Sequence, residues 1–170
     1  MRHDRRGPFQ SAPIAYFITF RCYGTWLPGD ERGWTDRPVQ SRELSLRSGH
    51  PGLRSIAETA MAQESFVLDT FGREAVDAAI RDVCAHRGWK LHALNVRTNH
   101  VHLVVSARST PEQVMTSLKA WSTRRLREAG LVSEEIKPWS RHGSTRYLWR
   151  VDQVEAACSY VLDAQGDDLH

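Results

Sequence analysis

The run Thr98-Asn99-His100-Val101-His102-Leu103-Val104-Val105 sets two histidines two residues apart among β-branched and apolar neighbours. Side chains alternate faces along an extended strand, so both imidazoles point the same way. Two imidazoles converging on one point suit a divalent metal ion. Chance weighs against the pair taken alone, because eight histidines in 170 residues yield an H-x-H about one time in three. The opposite face, made of Val101, Leu103 and Val105, supplies context: such a strand is core on one side and chemistry on the other. A closed structural zinc site needs more than two histidines, and Cys22, Cys84 and Cys158 stand far apart with no C-x-x-C to complete one. What fits is a catalytic divalent ion with open coordination positions.

A third ligand is expected from the C-terminal helix, which carries Gln153 near its start and Asp163 and Gln165 near its end. The same helix holds Tyr160, flanked by Ala156, Ala157 and Ala164, and such small neighbours leave room for a substrate beside the phenol. The alternative is a half-buried tyrosine packed on the core.

The elements that would position these residues follow from periodicity. Ile14 to Arg21 alternates, with Tyr16, Ile18 and Phe20 on one face and Phe17, Thr19 and Arg21 on the other, which predicts a first strand. From Tyr23 to about Pro51 glycine, proline, aspartate and arginine dominate, predicting a long loop after that strand. Leu53 to Ala62 reads as a short helix and Phe66-Val67-Leu68 as a brief extended piece. Val76, Ala79, Ile80, Val83 and Cys84 recur at helical spacing between Phe71 and Arg87, where Gly88 supplies the stop. Lys90 to Val96 and His100 to Ala107 form a hairpin about Arg97-Thr98-Asn99. Thr110-Pro111-Glu112-Gln113 has the capping-box pattern of a helix start, with Val114, Leu118 and Trp121 as the buried stripe. Thr145 to Arg150 is the fourth expected strand and Asp152 to Ala164 the last helix. The order βαββαβ predicts an α+β, ferredoxin-like sandwich with an antiparallel sheet, plus the C-terminal helix that carries the tyrosine. Its helices should cover one sheet face and leave His100 and His102 on an open, accessible one.

At 170 residues the chain is expected to be one domain, 1–170, with the loop 23–51 inserted. Three scattered cysteines argue against a disulfide framework, and neither a signal peptide nor a membrane-spanning run is visible, so a cytoplasmic location is expected. The net charge of +3 is modest. Placement says more: Lys119, Arg124, Arg125 and Arg127 share one helix, and Arg141, His142, Arg146 and Arg150 cluster before the last one.

The H-x-H strand and the tyrosine-bearing helix together resemble the HUH single-tyrosine transposases, the superfamily of insertion-sequence transposases that includes the REP-associated tyrosine transposases. The resemblance is carried by Phe17-Ile18-Thr19-Phe20-Arg21, by Tyr23-Gly24-Thr25-Trp26-Leu27-Pro28-Gly29-Asp30 with Arg32-Gly33-Trp34, by Asn99-His100-Val101-His102-Leu103-Val104-Val105 and by Tyr160-Val161-Leu162-Asp163-Ala164-Gln165-Gly166. It implies cleavage and strand transfer of single-stranded, hairpin-forming DNA through a 5′-phosphotyrosine intermediate, by a monomer or homodimer, with Mg²⁺ or Mn²⁺ as cofactor. It implies His100 and His102 as metal ligands and Tyr160 as nucleophile. Relatives place Asn or Gln four residues after the tyrosine; here that position is Ala164 and the amide is Gln165, with Asp163 as the alternative third ligand. Arg21, Lys119, Arg124, Arg127, Arg141 and Arg146 are then expected to track phosphates, with Trp34 or Tyr23 stacking on unpaired bases.

Two rival readings are weaker. A non-catalytic nucleic-acid-binding module on the same fold lacks the aromatic signature expected on the third strand. A phosphoesterase with two H-x-S/T motifs finds one in His142-Gly143-Ser144 and no second.

Overall fold

The computed structural model of the protein describes residues 12–27 and 48–163. Strand β1 (Ala15–Cys22) is followed by helices α1 (Pro51–Thr59) and α2 (Thr70–Arg87) and by the hairpin of β2 (Lys90–Val96) and β3 (His100–Ser106). Helix α3 (Pro111–Glu128), strand β4 (Trp139–Leu148) and helix α4 (Val151–Asp163) complete it. The four strands form one antiparallel sheet in the order β2-β3-β1-β4, which is the ferredoxin-like arrangement expected from the sequence.

Local chemistry sets the helix ends. Asp69 accepts from the Gly72 N–H at 2.7 Å to start α2, and Gly88 ends it at φ 66°, a left-handed conformation that favours glycine. At α3 the Thr110 hydroxyl accepts from Gln113 N while the Gln113 amide accepts from Thr110 N, so the anticipated capping box is present.

Each sheet face has its own apolar cluster. Tyr16, Ile18 and Phe20 of β1 and Val101, Leu103 and Val105 of β3 pack with Val76, Ile80 and Val83 of α2 and Val114, Leu118 and Leu126 of α3. On the other face Ala15, Ala93, Val104 and Leu148 pack against Val154, Ala157 and Val161 of α4. The face expected to be open is therefore partly covered by α4, because those three helix residues offer an apolar stripe that must be buried.

Strand β4 also departs from expectation, starting at Trp139 rather than Thr145 and ending at Leu148. Residues 139–144 carry no apolar alternation; they are recruited by backbone pairing to β1, which runs from Ala15↔Leu148 through Phe20↔Gly143 and, past a bulge, to Cys22↔Trp139. Gly143 is required there, since an added Cβ would lie 2.6 Å from the Thr19 carbonyl oxygen and collide with Met115. Gly143→Ala should destabilise the protein by about 1–3 kcal/mol, read as a lower urea midpoint. Helix α1 starts two residues before the expected helix and ends three before it, with Pro51 in its first turn. Residues 28–47 of the long loop, Trp34 among them, lie outside the described residues. Among the described residues no helix is long and apolar enough to cross a membrane.

Candidate functional site

Register assembles the site. Pairing places Asn95 of β2 beside His102 of β3, His102 beside Thr19 of β1, and Thr19 beside Ser144 of β4, so four polar residues form one row across the sheet on the α4 side. A second row holds Ala93, Val104, Phe17 and Arg146, and Arg21 pairs with His100.

The two imidazoles do face the same way, with ring centroids 4.5 Å apart. His100 Nδ1 lies 2.5 Å from the Asn99 amide oxygen. That oxygen can only accept, so Nδ1 carries a proton, and in the neutral ring the lone pair is left on Nε2. His102 Nδ1 is joined to the Thr19 hydroxyl at 2.6 Å, and a proton on Nδ1 there likewise leaves the lone pair on Nε2. His102 is only 8% exposed, less accessible than the sequence suggested, because α4 and Phe17 lie over it.

Burial pushes the His102 pKa down to about 3, and positive charge from His100, Arg21 and Arg97 acts in the same direction. The ring is thus neutral near pH 7, as metal ligation requires. Its folded pKa lies below the ordinary value of 6.5, so the unfolded chain binds the extra proton between those limits. The corresponding stability is present above about pH 6.5 and is lost as pH falls toward 3. In chelator, the urea midpoint should fall between pH 6.5 and 4 more steeply for the wild type than for His102→Gln; equal slopes would refute the shift.

Tyr160 lies on α4, directly before Val161 of its buried stripe, with its ring over the sheet. Its centroid is 5.9 Å from His102 and 5.9 Å from Phe17, both edge-to-face, while Phe17 stacks on His102 at 5.7 Å. Phe17 therefore wedges the phenol against the imidazole. Tyr160 remains 47% exposed, so a substrate can reach it. Among the described residues no group of three or more His, Cys, Asp or Glu side chains is placed to hold a metal; Asp163 does not join the histidine pair. Gln165 lies outside the described residues.

The model of the family described as IS200-like transposases matches residues 59–156, more than half of the chain. The chain belongs to that family. DNA transposition is thereby its functional class. No curated protein matches it. Among solved structures, it is similar to a REP-associated tyrosine transposase bound to a REP hairpin, at 13% identity and a TM-score of 0.49, covering 95% of this chain and 70% of that one. A presumptive transposase from Deinococcus radiodurans R1 is similar at 14% identity and a TM-score of 0.45, covering 89% of this chain and 92% of that one.

The basic residues of this transposase separate into different environments. Arg146 is exposed and its guanidinium sits 5.6 Å from the centroid of Phe17, on the site's own face. Arg21 stacks over Trp26 at 3.7 Å beside His100. Arg141 is exposed on β4. Arg124 pairs loosely with Glu128 at 3.4 Å on the outer surface of α3, remote in the fold from the histidine face. Arg127 holds the segment after α3, bonding the Glu134 carbonyl at 2.8 Å and its carboxylate at 3.2 Å. Lys119 was expected on a phosphate and is turned inward instead: its ammonium donates to the carbonyls of Ser140, His142 and Arg141 at 2.8, 3.2 and 3.4 Å. Burial pushes its pKa down to about 8. Tyr23, expected on a base, accepts from Ala62 N at 3.0 Å through its hydroxyl.

Sequence reasoning missed Phe17, Thr19, Asn95 and Asn99 as parts of the site. Alternation already put Phe17 and Thr19 on one face of β1, but which neighbour each would touch depends on register, which a strand's own residues do not encode.

Proposed function

We propose that this transposase cleaves single-stranded, hairpin-forming DNA with Tyr160 as nucleophile, in a site whose divalent cation is held by His100 and His102. The observation that carries this reading is the convergence of the exposed Tyr160 ring and the buried His102 ring, 5.9 Å apart, across Phe17. The donors suit a cation: two imidazoles on one face, each with its Nδ1 engaged by a neighbour that orients the ring. Gln165, two residues after Asp163, is the third donor in this reading, since Asp163 stands apart from the pair. Bound there, Mg²⁺ or Mn²⁺ supplies charge neutralisation and polarisation of the scissile phosphate.

The protein's own residues do the rest. The Tyr160 hydroxyl loses its proton to solvent or a bound base and its oxygen attacks phosphorus, forming the 5′-phosphotyrosine bond. The bond from phosphorus to the 3′ oxygen breaks, and that oxygen takes up a proton to leave as a 3′-OH. Reversal with a different 3′-OH transfers the strand. Arg146 and Arg21, on the same face, offer guanidinium groups to the flanking phosphates, and the positive surroundings that depress the His102 pKa also favour an anionic backbone. The bound hairpin of the REP-associated relative supports a DNA substrate of that shape.

A labelled hairpin oligonucleotide incubated with the protein and MnCl₂ or MgCl₂ should give a covalent adduct on a denaturing gel, absent in EDTA. Cleavage that leaves no adduct would overturn the tyrosine mechanism. Tight binding without cleavage would favour a non-catalytic nucleic-acid-binding module.

A further inference from the structure

We infer that Asn95 is a positioning residue that fixes the nucleophile helix to the histidine strand, an inference that rests on the assignment of Tyr160 above. Asn95 Nδ2 donates to the backbone carbonyl of Val161 at 2.9 Å. Val161 follows Tyr160 directly on α4. The bond therefore ties the turn that carries the nucleophile to β2.

The place of Asn95 in the sheet gives the bond its further consequence. It is the direct cross-strand partner of His102, which is in turn the partner of Thr19, the residue bonded to His102 Nδ1. One row of three side chains thus sets the imidazole from one side and the tyrosine helix from the other. Val154, Ala157 and Val161 hold α4 against the sheet by apolar contact, which is non-directional and leaves the helix free to rotate or slide by fractions of a turn. The amide-to-carbonyl bond is directional and removes that freedom. Asn95 touches neither phosphate nor cation in this scheme; it acts through Tyr160.

The test compares the wild type with Asn95→Ala and with Asn95→Asp, which keeps the shape and replaces the donor by an acceptor. Adduct formation with the hairpin oligonucleotide and MnCl₂ is followed under single-turnover conditions, oligonucleotide affinity is measured separately, and hydrogen exchange is followed in peptides spanning 155–163. The expected result is a rate lower by about ten- to hundred-fold with unchanged oligonucleotide affinity, and faster exchange in the turn of α4 around Tyr160. An unchanged rate, or a loss of affinity with the rate preserved, overturns the inference. Should Asn95→Ala fail to fold, Asn95→Asp decides by the same criteria. If the wild type itself forms no adduct, the tyrosine assignment fails, and the exchange experiment alone judges the tether: unchanged exchange overturns it, and faster exchange upholds it.

Discussion

Tyr160→Phe is expected to form no covalent adduct with a single-stranded hairpin, while folding and binding the oligonucleotide as the wild type does. The substitution deletes one oxygen and keeps the ring, so the edge-to-face contacts with Phe17 and His102 persist. Those contacts come from the ring's quadrupole and its area, not from the hydroxyl. Tyr160 is 47% exposed, so no buried polar network is broken by the loss. Removing the attacking atom of a covalent mechanism costs at least about 10⁴-fold in rate, which a gel resolves as complete loss of the adduct band. An adduct that survives in Tyr160→Phe would assign the nucleophile to another residue.

His102→Ala is expected to have the second largest effect, and it separates two roles for the residue. As a cation ligand, its loss should lower cleavage by about 10³-fold, the equivalent of several kcal/mol of transition-state stabilisation, and should weaken Mn²⁺ binding measured by calorimetry in the absence of DNA. Oligonucleotide affinity should hold, because Arg146 and Arg141 on β4 are untouched. Stability should drop by about 1–3 kcal/mol, since the change opens a small cavity at an 8% exposed position and leaves the Thr19 hydroxyl without its ring partner. A folded variant that binds Mn²⁺ and cleaves as the wild type does would reassign His102 to the core alone.

The contrast between Lys119 and Arg146 shows how far charge patterning carries. Both were read from the sequence as phosphate-binding. Lys119 lies on α3 facing β4, and its ammonium closes on three consecutive carbonyls of that strand. Arg146 projects from the edge strand onto the face that holds His102 and Tyr160. A cation's task follows from the acceptors brought to it, and those belong to another element. Arg127 repeats the point, spending its guanidinium on Glu134 and on backbone.

Periodicity by itself determined the order of strands and helices, the capping box at Thr110, the stop at Gly88, and the sharing of one face by His100 and His102, because strand and helix repeats are local consequences of backbone geometry. The tertiary structure decided what alternation cannot: that β4 begins at Trp139, that α4 covers the face opposite α2 and α3, and that Phe17, Thr19 and Asn95 surround the histidine and the tyrosine helix. Those outcomes depend on register between strands distant in sequence and on burial of an apolar stripe against whichever surface is available. The pair His100 and His102 was legible in one heptapeptide; the company it keeps was set by four strands and a helix packing together.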